Sequence, residues 1–169
     1  MILTEGDLQF DFSAATSARR FDDASHGLSH CMKAVDFVVE LDDRILFVEV
    51  KDPQNPNAQP AQAQQFAAKL RSGELTRGQL TPKCRDSYLY EHAMKRLGKP
   101  VHYVVLLALD TLGAPELSTQ RDLLSAFLPV DGPPGNPWPS PFVASCSVVN
   151  IQAWNAALAQ FPVSRVSSA

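Results

Sequence analysis

The chain reads as an α/β protein whose mixed sheet contains an antiparallel hairpin and is flanked by helices. Three observations carry that expectation. Two β-rich runs, Ala34 to Leu41 and Arg44 to Lys51, are separated only by Asp42 and Asp43, which is hairpin spacing. Two helix-patterned segments follow, the first opened by Pro60 and the second by Thr81-Pro82. A near-continuous apolar run, Val101 to Leu109, then has the character of a strand buried on both faces beside the hairpin.

Taken in order, Leu8, Phe10 and Phe12 alternate with polar residues and predict a first strand, with an irregular polar stretch through about Gly27. The hairpin comes next. With the loop centred between Asp42 and Asp43, Leu41 faces Arg44, Asp36 falls opposite Glu49, and Lys51 opposite Ala34. One hairpin face, Val35, Phe37, Val39, Leu41, Leu46, Val48 and Val50, is wholly apolar and must pack on helices or a second layer. The other is apolar near the loop, with Val38, Ile45 and Phe47, and charged at the far end, where Asp36, Glu49 and Lys51 gather.

Asp52 to Asn57 is rich in breakers, so the chain must turn directly after Lys51. A helix from Pro60 to about Gly73 carries the apolar stripe Ala63, Phe66, Ala67, Leu70. A second runs from an N-cap at Thr81 to Leu97, stopped by Gly98. Leu117 to Leu128 reads as a helix, and Pro129 to Pro141, with six prolines, as a surface excursion. Phe142 to Val149 is a late strand and Ile151 to Phe161 a closing helix, with a frayed Ser-rich tail. Trp138 and Trp154 read as packing residues.

The 169 residues, about 45% of them apolar, fit a single domain, with 1–110 as its core and 111–169 as a C-terminal extension packed on it. Three scattered cysteines, Cys31, Cys84 and Cys146, support neither a disulfide framework nor a zinc ribbon, and point to a reducing cytoplasm. The longest apolar stretch, Val104 to Leu109, falls far short of the roughly 20 residues of a membrane helix, and no basic-apolar leader opens the chain. No membrane partner is expected.

The net charge of −3 argues against strong nonspecific nucleic-acid binding, but its distribution is uneven. Residues 1–63 hold eleven acids and five bases, whereas 64–99 hold eight bases and three acids. Lys69, Arg71, Lys83 and Arg85 in that basic segment are candidate phosphate contacts. A solvated helix face would carry the same residues. His26, His30 and Cys31 read as loop residues because Gly27 interrupts the helix a metal cluster would need, and Arg19-Arg20 as pairing locally with Asp22-Asp23.

Two opposed carboxylates on an apolar hairpin would repel each other, and desolvation would raise at least one pKa; a shared divalent cation removes that difficulty. Asp36, then twelve residues, then Glu49-Val50-Lys51 resembles the core signature of the PD-(D/E)xK nuclease superfamily, the restriction-endonuclease-like fold. The resemblance covers roughly residues 33–52 in sequence and 1–110 in element order. Val35 stands where the name-giving proline would be, and no Gln-x-x-x-Tyr helix places the chain in a subfamily.

The resemblance implies a metal-dependent nuclease. Magnesium or manganese would be held by Asp36, Glu49 and the carbonyl of Val50, with Lys51 catalytic beside them. Glu5 is a candidate third acid, Glu40 lies too far along the strand, and Gln64 and Gln65 are candidates to approach from the next helix. DNA is the expected substrate ahead of RNA, in defence, restriction or repair, with a second copy or a larger complex helping to grip it. The alternative is a noncatalytic nuclease-fold module that binds nucleic acid or a protein.

Overall fold

A computed structural model describes residues 1–23, 26–128 and 130–168. It is a mixed α/β protein with two sheets. The first is antiparallel and three-stranded, in the order β1 (Ile2–Glu5), β2 (Leu8–Asp11), β8 (Val163–Arg165). The second has five strands in the order β3 (Ser17–Arg20), β4 (Phe37–Glu40), β5 (Ile45–Lys51), β6 (Val101–Leu107), β7 (Ser145–Val149). Strands β3, β4 and β5 run antiparallel, whereas β6 and β7 continue parallel to β5. The helices are α1 (Pro60–Ser72), α2 (Thr81–Ala93), α3 (Ala114–Phe127) and α4 (Ile151–Ala157).

The hairpin has the register expected of its two-residue centre. Glu40 pairs with Ile45 and Phe37 with Val48, and the Leu41 N–H donates to the Arg44 carbonyl at 2.8 Å. Continuing that register one residue beyond β4 sets Asp36 opposite Glu49. Strand β5 is central, with β4 on one side and β6 on the other, so its residues Ile45 to Val50 are all buried. That burial explains the unbroken apolar run around the single acid.

Each sheet face has its own core. Phe37, Val39, Leu46, Val48 and Val50 pack with Leu8 and Phe10 of the small sheet, with Phe12 just beyond it, and with Trp154 and Phe161. The cover on this face is therefore a second β layer together with α4. Val38, Ile45 and Phe47 pack with Tyr103, Val105, Leu70, Leu80, Cys84 and Leu124, which belong to β6 and the helical layer. Val35 joins this second cluster and not the first, because strand alternation begins only at Phe37; its N–H is held by Ser87 Oγ at 3.0 Å.

Several boundaries differ from expectation. The polar stretch after β2 contains strand β3, whose Ala18 is buried while Arg19 and Arg20 are half-buried; residues 24–25 of that stretch lie outside the described residues. Thr81 is not an N-cap. It has helical dihedrals and continues a π-helical turn, Thr76–Leu80, so the helical path begins earlier than the Thr-Pro signal suggests. Helix α2 stops at Ala93, before Leu97, and Lys95 adopts φ 57°. Helix α4 stops at Ala157, and the tail expected to fray forms β8 and a short 3-10 turn. β7 begins at Ser145, after an irregular approach from Phe142, and residue 129 at the start of the proline-rich excursion lies outside the described residues.

α1 matches its signals closely: Pro60 opens it and Gly73 closes it at φ 72°, the left-handed conformation that glycine adopts without a Cβ penalty. The segment 111–169 supplies strands to both sheets, β7 beside β6 and β8 beside β2. Among the described residues no helix is long and apolar enough to cross a membrane.

Candidate functional site

The charged end of the hairpin is built by the ends of β4 and β5 and by one side chain from α2. Asp36 is fixed first by its backbone, whose carbonyl accepts from the Phe21 N–H at 2.8 Å and extends the pairing of β3 with β4. Its Oδ2 then accepts from the Val50 N–H at 2.6 Å. A carboxylate thus takes the place of a ladder carbonyl where the hairpin ends. The Val50 side chain lies in the opposite core, leaving Glu49 and Lys51 on the face of Asp36.

Glu49 is fully buried, at 0% exposure. Its Oε1 lies 2.7 Å from Lys51 Nζ and 3.1 Å from Lys83 Nζ. These are ion pairs: both Oε1 and Oε2 are buried without a hydrogen-bond partner among the described residues. Lys83 also lies 3.3 Å from Asp36 Oδ1 and 3.0 Å from Asp22 Oδ2. Its ammonium therefore spans three carboxylates.

The electrostatics follow from burial. Desolvation, and next the neighbouring charge of Asp36, push the Glu49 carboxyl up to about 7 against the pull of Lys51 and Lys83. Asp36 is also raised, by burial, with Lys83 and the Val50 N–H opposing the shift. Burial works against charge on Lys83, but Glu49 and Asp36 outweigh it and hold its pKa above the ordinary lysine value. The site sets two buried carboxylates with raised pKa values against two ammonium groups.

Asp36, Glu49 and Lys51 are brought together, as their spacing implied. The four basic residues are not all alike: Lys83 turns into the carboxylates, while Arg71 and Arg85 stay exposed and Lys69 is half-exposed near Glu74, at 3.7 Å. Lys83 is thus corrected from a surface phosphate contact to a member of the buried site. Gln64 and Gln65 are exposed on α1. Glu5 pairs with Arg20, yet is close enough to Asp36 to add to its raised pKa. Glu40 pairs with Lys99 at 2.7 Å at the other end of the strand. Arg19 pairs with Glu91 at 2.5 Å, so the arginine pair reaches across the fold to Glu91 and Glu5.

Reading along the chain missed Lys83 and Asp22 as site members. One signal was present. Lys83, Ser87 and Glu91 recur at four-residue spacing on α2, the spacing of one helix face, and all three are turned toward the sheet: Lys83 to Asp36, Ser87 to Val35, Glu91 to Arg19. A polar stripe at that period on a helix with few apolar residues marks a buried polar seam as readily as a solvated one.

The donor set can be tested against a divalent ion. Among the described residues, no group of three or more His, Cys, Asp or Glu is placed to hold a metal. An ion here would rest on two carboxylates and a backbone carbonyl, the oxygen-rich and water-completed sphere suited to magnesium. The unpartnered, fully buried Glu49 Oε2 fits that requirement, since a carboxylate oxygen left without any donor in a dry site is costly. No family model matches the chain, and no curated protein or solved structure matches it either.

Proposed function

We propose that this protein is a metal-dependent nuclease that hydrolyses phosphodiester bonds, with DNA as substrate. The observation that carries the reading is Glu49: fully buried, beside Lys51, in register with Asp36, and with both oxygens lacking a hydrogen-bond partner among the described residues. The order of hairpin, helices and a strand parallel to β5 also supports it, because it resembles the arrangement of restriction-endonuclease-like nucleases.

In this reading Asp36, Glu49 and the Val50 carbonyl would hold magnesium or manganese, which as hard oxygen-seeking ions suit such donors. When bound, the ion would lower the pKa of a water and offset charge accumulating on the phosphorane. Asp36 keeps its orientation through the Val50 N–H. Glu49 would serve as a ligand in its ionised form, which its raised pKa makes dependent on pH. Lys51, 20% exposed at the mouth of the site, presents a point charge to the scissile phosphate. The water oxygen would bond to phosphorus as it gives a proton to solvent, the bond to the leaving oxygen would break, and that oxygen would take up a proton from solvent.

A noncatalytic module is the second reading, and one observation favours it: Lys83 and Lys51 already offset the charge of both carboxylates without an ion. The test is incubation with supercoiled, linear and single-stranded DNA and with RNA, each with magnesium or manganese. Cleavage that is lost with EDTA and in Asp36→Ala, Glu49→Ala and Lys51→Ala is the expected result. Survival of every substrate, with wild type and the three variants alike in nucleic-acid binding, would establish the module instead.

A further inference from the structure

We propose that Lys83 is an internal counter-ion of the site, and that its ammonium must withdraw from Asp36 and Glu49 before those carboxylates can hold a divalent cation. The inference rests on the metal-dependent reading above. Lys83 donates to Asp22 Oδ2 at 3.0 Å and to Asp36 Oδ1 at 3.3 Å, and its nitrogen forms an ion pair with Glu49 Oε1 at 3.1 Å. Two of those three are the proposed metal ligands. A magnesium ion sits about 2.1 Å from its oxygens, so Asp36 Oδ1 and Glu49 Oε1 cannot close on an ion while the Lys83 nitrogen lies between them.

The distribution of contacts on Glu49 points the same way. Both ammonium groups lie nearest Oε1 as ion pairs, yet neither Oε1 nor Oε2 has a hydrogen-bond partner among the described residues. Two like charges stand beside a buried carboxylate whose two oxygens both lack a hydrogen bond. That arrangement balances charge but leaves coordination incomplete.

The route of withdrawal is also built in. Asp22 is the outer partner, with its side chain 48% exposed against 6% for Asp36 and 0% for Glu49. Lys83 can leave the two inner carboxylates and keep the ion pair with Asp22 at the rim. The backbone of α2 need not move, since Cys84 is buried in the core and Ser87 is tied to Val35. Only the flexible side chain swings. Lys83 thereby sets how much free cation the site requires.

Two measurements on the full chain test this. Manganese binding by calorimetry is compared in wild type, Lys83→Gln and Asp36→Asn; reductive methylation followed by mass spectrometry reports the reactivity of Lys83 with and without saturating manganese. If the withdrawn state is populated a tenth of the time or less, Lys83→Gln binds manganese about tenfold tighter or more. Labelling of Lys83 in wild type rises severalfold with manganese, and this readout decides the matter if Lys83→Gln does not fold. Asp36-dependent binding of equal affinity in wild type and Lys83→Gln, with unchanged labelling, would overturn the inference and leave the metal site standing. Absence of manganese binding in both proteins would overturn the metal site and this inference together.

Discussion

Glu49 concentrates the physical tension of this protein in a single side chain. It sits on the central strand at 0% exposure, within 3.1 Å of two ammonium nitrogens, and its pKa is pushed up from an ordinary value of 4.5 to about 7 by burial and then by Asp36. Between those two values the folded chain holds a proton that the unfolded chain has lost, so stability falls as pH rises through the window. The slope is at most about 1.4 kcal/mol per pH unit, which sums to roughly 3 kcal/mol across the window. Glu49→Gln has no such ionisation. Its stability relative to wild type, measured by denaturant unfolding at pH 5 and pH 8, is expected to improve toward the higher pH; a difference that does not change with pH would contradict a raised Glu49. By the same proton linkage, manganese affinity of the wild type should increase from pH 5.5 to pH 8, because the carboxyl must ionise to become a ligand.

Helix α2 shows how an element can be docked by polar side chains. Lys83, Ser87 and Glu91 lie on one face and meet Asp36, the Val35 N–H and Arg19. Ser87 and Glu91 are buried, so each contact is needed to offset desolvation. Ser87→Ala removes the acceptor of a buried backbone N–H one residue before Asp36, and is expected to cost about 1–3 kcal/mol in denaturant unfolding. A cost near zero would mean that the Val35 amide finds another partner. The helix was partly legible. Thr81-Pro82 signals a helix with a proline at its start, but Thr81 does not cap it, because a preceding π-helical turn overrides the Thr-Pro start signal. The hairpin register was legible, since a two-residue connection and a period of two leave one register that buries the apolar face, but its outer end was not: β4 begins at Phe37 and Val35 turns into the other core.

Across the whole molecule, the two chain ends close around the site. Strand β8 pairs with β2, and Arg165 makes a bidentate contact with Asp52 at 3.0 and 2.8 Å, one residue after Lys51 and 113 residues away in sequence. Arg165 also approaches Asp7 at 3.4 Å, in the turn between β1 and β2. A planar guanidinium holding both oxygens of a carboxylate restrains it in orientation as well as position. The clasp therefore anchors the turn that ends β5. Arg165→Ala is expected to cost about 2 kcal/mol or more, because Asp52 would be left largely buried without its partner, and to speed amide exchange near Lys51. Exchange rates near Lys51 equal to those of wild type would show that β5 holds its end without the tail.

By itself the sequence determined the hairpin, its register, the opposition of Asp36 to Glu49 and the placement of Lys51 on the same face. Those features depend on neighbours 13 to 15 positions apart and on strand alternation, which are local rules. Only the tertiary structure decided that Lys83 from α2 and Asp22 from the loop after β3 enter the site, that Arg165 clasps Asp52, and that a second sheet rather than helices alone covers the other face. Such contacts join residues 47 to 113 positions apart. They are settled by how a helix rotates and docks when every buried charge must find a partner, and no periodicity within one segment records that choice.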